Sequence, residues 1–490
     1  MLNITRIKKI FQNPVKTRIF YDLFISTFSL FSLLISFELF GLPHPAAKFI
    51  VPFPIIYVFA NYFLGIYGKF KTSSILLKSC LLALSAFTTL LIIFFIFGKI
   101  APIFIIATLF IILLSILPRF FFNFNTPNGR FFFENLINEK LPVLIVGGAG
   151  YIGMHVVEKL LSKGYKVKVF DKFSYGKEHM INLVNNNNLE IIEGDVSDLF
   201  KLTFALKNTQ AIIHLAGLVG DPACAIDEKL TRHINIITTR MLKESAKAFK
   251  IPRFIFASSC SAYGSTEEIV NENSSLNPIS LYAKTKIDAE AELLDDPFDY
   301  FHPTVLRFST IYGHSPRMRF DLVANLFVAQ AYHDGVITVI GEKQCRPFIH
   351  VNDVAEAIVK VMEAPISKVS RQIFNVGDNE QNMTIGDLAK LVQSIVVNDA
   401  NCRPVKIEVQ DSPTDKRNYH VLFDKFSNVL GFKTNISLEQ GLKEIYSNLK
   451  ENKYLNHYKD PVYSNFEMAK GLKEEFYSKD YQENHYSIMQ

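Results

Sequence analysis

Between residues 143 and 171 the chain spells out a strand, a glycine turn, a helix and a second strand closing on an acid. Few folds tolerate that order. Val143–Val146 is a short apolar run, followed by Gly147-Gly148-Ala149-Gly150-Tyr151-Ile152-Gly153. A helical pattern runs from His155 to Leu161, and a β run, Lys166–Phe170, ends in Asp171. The spacing Gly147-x-x-Gly150-x-x-Gly153 permits a tight turn, lets backbone approach a pyrophosphate and lets the helix pack close to the strand. The helix N-terminus, opened by Tyr151 and Ile152, points free N–H groups at phosphate. Asp171, eighteen residues beyond Gly153, can accept hydrogen bonds from adenosine ribose hydroxyls. A carboxylate there repels a 2′-phosphate, so NAD is favoured over NADP.

Strand-like runs continue at 188–193, 211–214, 253–257 and 303–308, with helical patterns such as 229–248 and 282–294 between them. Strands alternating with helices predict an α/β fold, a Rossmann-like doubly wound parallel sheet with ligands at the carboxyl ends of its strands. Tyr282 and Lys286 stand at i and i+4 of one predicted helix, on one face. There the ammonium can hold charge beside the phenol and lower its pKa. Ala257–Gly264 closes a buried-looking strand and brings hydroxyls to its carboxyl end.

The front of the chain differs. Residues 1–130 hold two acids, Asp22 and Glu38, against twelve Lys and Arg, a net charge near +10; the whole is +5, so the remainder sits near −5. A basic, Phe-rich front and a mildly acidic rear suggest a membrane part followed by an enzyme, not nucleic-acid binding. Four apolar stretches, roughly 19–41, 49–68, 76–98 and 101–118, approach the ~20 residues that a membrane-crossing helix needs. Arg6, Lys8, Lys9, Lys16 and Arg18 precede the first; Lys69, Lys71 and Lys78 flank the second turn; Arg119 and Arg130 follow the fourth. The positive-inside rule puts both ends of this expected bundle in the cytoplasm, with the catalytic part at the inner face of the membrane. The five cysteines have no spacing of a metal site or a disulfide framework, and no metal is expected. The expected division is a four-helix anchor over 1–118, a linker over 119–141, an NAD-binding domain over 142–450 with its substrate lobe mainly in 310–450, and a polar tail over 451–490.

At this point the chain resembles the extended short-chain dehydrogenases/reductases. More narrowly, it resembles the NAD-dependent epimerase/dehydratase family that acts on nucleotide-sugars. The resemblance covers about 142–448 and rests on seven signatures in the family's order. They are the glycine turn 147–153, Gly-Asp-Val (194–196), His-Leu-Ala-Gly (214–217), Ser-Ser-Cys-Ser-Ala-Tyr-Gly (258–264), Tyr-Ala-Lys-Thr-Lys (282–286), Leu-Arg-Phe-Ser-Thr-Ile-Tyr-Gly (306–313) and Arg-Pro-Phe-Ile-His-Val-Asn-Asp-Val (346–354). The front resembles the anchors of membrane polysaccharide-biosynthesis members. The resemblance implies Tyr282 as catalytic base, Lys286 as the lysine that tunes it and binds the nicotinamide ribose, and Ser259 as the hydroxyl at the reacting sugar oxygen. It implies Asp195 and Val196 at the adenine, Ala216, Gly217 and Asn235 at the cofactor, Ser261 and Thr310 at the sugar, and Arg346 and Arg417 on the substrate diphosphate. A homodimer is implied in the same way.

The family's shared step is oxidation at sugar C4. A 4,6-dehydratase needs an acid–base pair after the catalytic Ser/Thr, usually Asp then Glu. Here Cys260 and Ser261 stand there, so epimerisation is favoured. Dehydration, decarboxylation and 4-keto reduction stay open, as does a non-catalytic NAD-binding membrane scaffold. Val219 stands where galactose epimerases often carry a cofactor-gripping Lys, which would let NAD exchange.

Overall fold

The computed structural model describes residues 141–478, apart from 297, 299, 400–403, 411–416, 452, 455 and 456. The four expected spans, all but the last residue of the linker and the end of the tail lie outside the described residues. Among the described residues no helix is long and apolar enough to cross a membrane.

The first half runs β1 (Val143–Val146), α1 (Tyr151–Ser162), β2 (Val167–Asp171), β3 (Leu189–Glu193), α2 (Leu199–Leu206), β4 (Ala211–His214), α3 (Thr238–Ala248), β5 (Arg253–Ser259), β6 (Ser265–Val270), α4 (Leu281–Leu294) and β7 (His302–Phe308). The second continues with β8 (Thr310–Tyr312), α5 (Val323–His333), β9 (Val336–Ile340), β10 (Cys345–His350), α6 (Val351–Glu363), β11 (Ile373–Val376), β12 (Asn382–Thr384), α7 (Ile385–Val397), β13 (Lys406–Gln410), β14 (Asn418–Val421), α8 (Leu438–Lys450) and α9 (Asn465–Phe476).

Seven strands make one parallel sheet in the order β11-β7-β5-β4-β1-β2-β3. β1 is apolar throughout and buried at all four positions, as a strand covered on both faces must be. One face carries α1 and α6, with Met154, Leu160, Val354 and Ile358 in a shared core. The other carries α2, α3 and α4 through Leu202, Leu242, Ala289 and Leu293. The chain goes outward one way through β2 and β3 and the other way through β4, β5 and β7. The switch point therefore lies between β1 and β4, where Val146 pairs with His214, and a crevice opens beyond their carboxyl ends.

The substrate lobe is built from short strands, β12-β10-β8, β13-β9 and β14-β6, over a core of α5, α7 and α8. The sheet matches the strands read from sequence to within a residue or two, and adds β11. The predicted helix 229–248 is helical throughout, with a π-helical turn, His233–Ile237, set between Glu228–Arg232 and α3. The described fold also extends past 450: α9 packs on the 218–234 segment and on Tyr282 of α4.

Candidate active site

A cleft of about 340 Å3 follows the switch point and takes residues from the glycine turn through to α9. That lies within the usual ~300–1,000 Å3 of small-molecule sites. Its floor is the glycine turn. Gly147 has φ +85°, and a Cβ there would lie 2.6 Å from the Ala216 nitrogen; a Cβ on Gly153 would lie 2.4 Å from the Gly147 carbonyl oxygen. Side chains at either position would push the turn off its neighbours. Gly150 precedes α1, whose open N-terminus faces the cleft. The Tyr151 phenol points away, donating to the Gly313 carbonyl at 2.7 Å, and so ties the turn to the substrate lobe.

Asp171 closes β2 over this turn. It accepts the N–H groups of Ala149 (2.9 Å) and Phe173 (2.8 Å). Burial pushes its carboxyl up from the ordinary value, against the pull of those two N–H groups. Farther along, Asp195 accepts from the Ser197 backbone and hydroxyl and pairs with Lys172 at 3.2 Å. Val196, Ala216 and Gly217 complete that wall. Asn235 stands one layer back. It accepts the Leu218 N–H at 2.8 Å and donates to Thr285 Oγ1 at 3.1 Å, holding the 216–218 loop against α4. Its side chain positions the cofactor wall and is not among the residues lining the cleft.

The opposite end gathers the reactive groups. Ser280 caps α4, accepting the Ala283 N–H at 3.2 Å, and fixes Tyr282 and Lys286 in the first two turns. Ser259, at the end of β5, accepts the Ser261 N–H at 3.1 Å and lines the cleft beside Tyr282. Lys286 Nζ donates to the Ala257 carbonyl at 2.8 Å and lies 5.9 Å from the Tyr282 ring centroid. Burial pushes the phenol up, Cys224 adds to that, and Ser259 pulls the other way. Lys286, expected to depress the phenol, is not among the groups that shift it, and burial sets the direction. The ammonium itself is pulled down to about 8 by burial.

Ser261, Thr310 and Arg417 also line the cleft. Arg417 pairs with Asp221 at 3.0 Å. Arg346 does not line it; its guanidinium donates to the carbonyls of Cys345 and Arg417 and to Gln344, and stacks 5.3 Å from Tyr419. It holds the backbone of Arg417, which does line the cleft. Cys260 is fully buried, with its thiol turned to the Arg307 carbonyl at 3.3 Å.

Three buried polar atoms in the cleft wall, Ser261 Oγ, Ser309 Oγ and Arg317 Nε, have no partner among the described residues. Orphaned groups in a cleft that also carries a glycine cradle and the Asp171 carboxylate at the end of β2 fit a polar dinucleotide with its substrate. Among the described residues no group of His, Cys, Asp and Glu could hold a metal.

Comparison with known proteins agrees with this geometry. Residues 143–377 match the NAD dependent epimerase/dehydratase family. UDP-glucuronic acid decarboxylase 2 of Arabidopsis thaliana is 31% identical over 318 residues, covering 63% of this chain and 68% of that protein. The chain belongs to the NAD-dependent epimerase/dehydratase family. Human dTDP-D-glucose 4,6-dehydratase is 26% identical over 322 residues, 63% of this chain and 90% of that protein. The solved UDP-glucuronic acid 4-epimerase from Bacillus cereus, in complex with UDP-glucuronic acid and NAD, aligns with a TM-score of 0.58 at 25% identity, covering 64% of this chain and all of that one.

Several residues of this epimerase/dehydratase site escape the sequence motifs. Glu290, two turns beyond Tyr282, is 3% exposed and binds Arg307 of β7 at 2.6 Å and the Ser258 hydroxyl of β5. It locks the Tyr282 helix to the strand that carries Ser259. Arg317 stacks 3.6 Å from the Tyr175 ring centroid, and burial pulls it down to about 10. Arg319 makes two 2.9 Å bonds to Asp321. Tyr175 and both arginines line the cleft. Only their chemistry, two arginines in Ser-Pro-Arg-Met-Arg after β8, could have drawn notice in sequence.

Proposed function

We propose that this family member is a nucleotide-sugar 4-epimerase, serving cell-surface glycan assembly from the cytoplasmic face of a membrane. The observation that favours epimerisation is the pair of positions after Ser259. Cys260 is fully buried with its thiol turned inward, and burial pushes that thiol up. Ser261 is a bare hydroxyl. Neither can pass a proton in an elimination at neutral pH, so the oxidised sugar has no partner here for loss of water.

Ser259 and Tyr282 both line the cleft, and their hydroxyls can hold a single sugar hydroxyl between them. Tyr282 removes its proton as C4 is oxidised and returns one when the ketone is reduced. Bound NAD supplies the hydride acceptor and, when oxidised, positive charge beside the phenol. Lys286 adds charge at the same end of the cleft, and Gly147, Gly150, Gly153 and Asp171 would hold the pyrophosphate and ribose. Arg417, braced by Arg346, suits the substrate diphosphate, because a planar guanidinium forks onto phosphate oxygens. Epimerisation requires the ketone to turn over before hydride returns to its other face. A homodimer embedded through the 1–118 bundle completes the proposal.

The test is product analysis with the full chain, purified in detergent, on UDP-, GDP- and dTDP-sugars including UDP-glucose and UDP-glucuronic acid. The expected product is the C4 epimer, with no loss of mass. A product lighter by water or by carbon dioxide would assign dehydration or decarboxylation instead. NAD binding without turnover of any sugar would leave the scaffold.

A further inference from the structure

α9 lies beyond the seven family signatures, yet it forms one wall of the cofactor cleft. Asn465, Ala469, Leu472 and Phe476 recur at i, i+4, i+7 and i+11, one helical face. Phe466, Lys470 and Glu474 lie on the exposed side. The inward face is held along its whole length. At its start, Asn465 donates to the Val219 carbonyl at 3.3 Å, accepts from Arg317 at 2.8 Å, and gives its backbone N–H to Asp321 at 3.1 Å. In the middle, fully buried Ala469 packs with Leu218 and Tyr282. At its end, Phe476 is 1% exposed, packs on Leu230 and meets His233 at 5.2 Å. Glu475 pairs with Lys172 at 2.7 Å, and Lys172 in turn pairs with Asp195. Twelve residues at 1.5 Å each give about 18 Å of helix along the cleft.

We propose that α9 is a clamp that keeps NAD bound through successive turnovers. The inference rests on the NAD reading of the cleft and goes beyond it. Asn465 sits on Val219, where the resemblance would place a cofactor-gripping lysine. Phe476 and Glu475 close the other end, beside Asp195. With the helix docked, cofactor escape requires the 465–476 contacts to open first. A retained cofactor suits a reaction that returns its hydride within one cycle and does not suit a net dehydrogenase. Glu475 also acts on specificity. Lys172 follows Asp171 directly and its ammonium would attract a 2′-phosphate; Glu475 and Asp195 engage that charge.

The experiment loads the full chain with NAD and chases it with excess fluorescent etheno-NAD, reading the release rate and the NAD retained after gel filtration. The full chain is compared with a chain ending at Ser464 and with the Asn465→Ala/Phe476→Ala and Glu475→Gln variants. Release at least tenfold faster in the shortened chain and in the double variant is expected, with loss of bound NAD on the column. Glu475→Gln is expected to narrow the preference for NAD over NADP severalfold. Should the shortened chain fail to fold, the point variants decide; loss of the buried Phe476 ring lowers the melting temperature of the double variant, so its release rate is read at a temperature where unfolding measurements show it folded without NAD. Release rates within twofold of the full chain in all of them overturn the clamp alone. A full chain that takes up no NAD overturns both the clamp and the cofactor reading of the cleft.

Discussion

At the scale of single residues, the site is governed by burial. The Tyr282 phenol is pushed up and the Lys286 ammonium pulled down by the same removal of water. Tyr282→Phe keeps the ring and its packing and removes only the proton carrier. A fall in kcat of about 100- to 10,000-fold is expected, the usual contribution of a positioned acid–base group. NAD affinity measured by titration should change little; undiminished turnover would remove Tyr282 from the mechanism. Lys286 carries a cost in the fold that its chemistry justifies. With a folded value of about 8 against 10.5 in the open chain, the unfolded state binds the extra proton between those pH values. Stability therefore rises with pH across that window, and the full cost, at most about 3 kcal/mol, is present below pH 8. Lys286→Met should thus be inactive yet at least as stable as the parent at pH 7 without NAD. Its advantage should shrink between pH 8 and 10.5. Thermal unfolding across that range checks the trend, and a lower melting temperature for the variant at pH 7 would contradict it.

At the scale of elements, α4 is placed by one buried ion pair. Arg307 and Glu290 are 2% and 3% exposed, joined by three guanidinium–carboxylate contacts of 2.6 to 3.2 Å. Breaking such a pair leaves a buried charge and costs about 3–5 kcal/mol, whereas replacing both partners with apolar groups of similar volume can be neutral. Glu290→Gln should lower stability by about that much, while Glu290→Met with Arg307→Met should recover most of it, as read from denaturation midpoints. The double variant should still lose activity, because Ser258 no longer holds α4. What could be read in advance follows the same divide between local and distant causes. β1, α1 and β2 announce themselves through glycine spacing and apolar runs, which are local. β11 does not: it is four residues long with polar Asn375 inside, tolerated there because Asn375 accepts from Tyr263 and donates to the Leu422 carbonyl. The π turn at 233–237 rests on contacts to α4 that no period reveals. Asn235 and Arg346 have the family's residue types, but their partners come from 17 and 71 positions away and aim them at backbone. The α9 stripe was legible in principle; its small and polar members, Asn465 and Ala469, hide it from a search for apolar residues.

At the scale of the whole molecule, the site draws on positions from Gly147 to Phe476, so it exists only when the described fold is complete. Its cofactor and the nucleotide-sugars it is proposed to convert are cytoplasmic metabolites, which sets a condition on the apolar front. The proposed four crossings, with the lysine-rich connections inside, would put Lys71 in the cytoplasm and Lys48 on the far side. Lys48→Cys and Lys71→Cys, each in the full chain, separate the possibilities in intact cells treated with an impermeant maleimide. Labelling at 48 without lysis, and at 71 only after permeabilisation, is expected, each against the unsubstituted chain. Release of the whole chain by an alkaline carbonate wash would remove the anchor. The reverse labelling pattern would be the graver result: with an even number of crossings it would carry Tyr282 and its cleft to the side of the membrane where neither NAD nor an activated sugar is found.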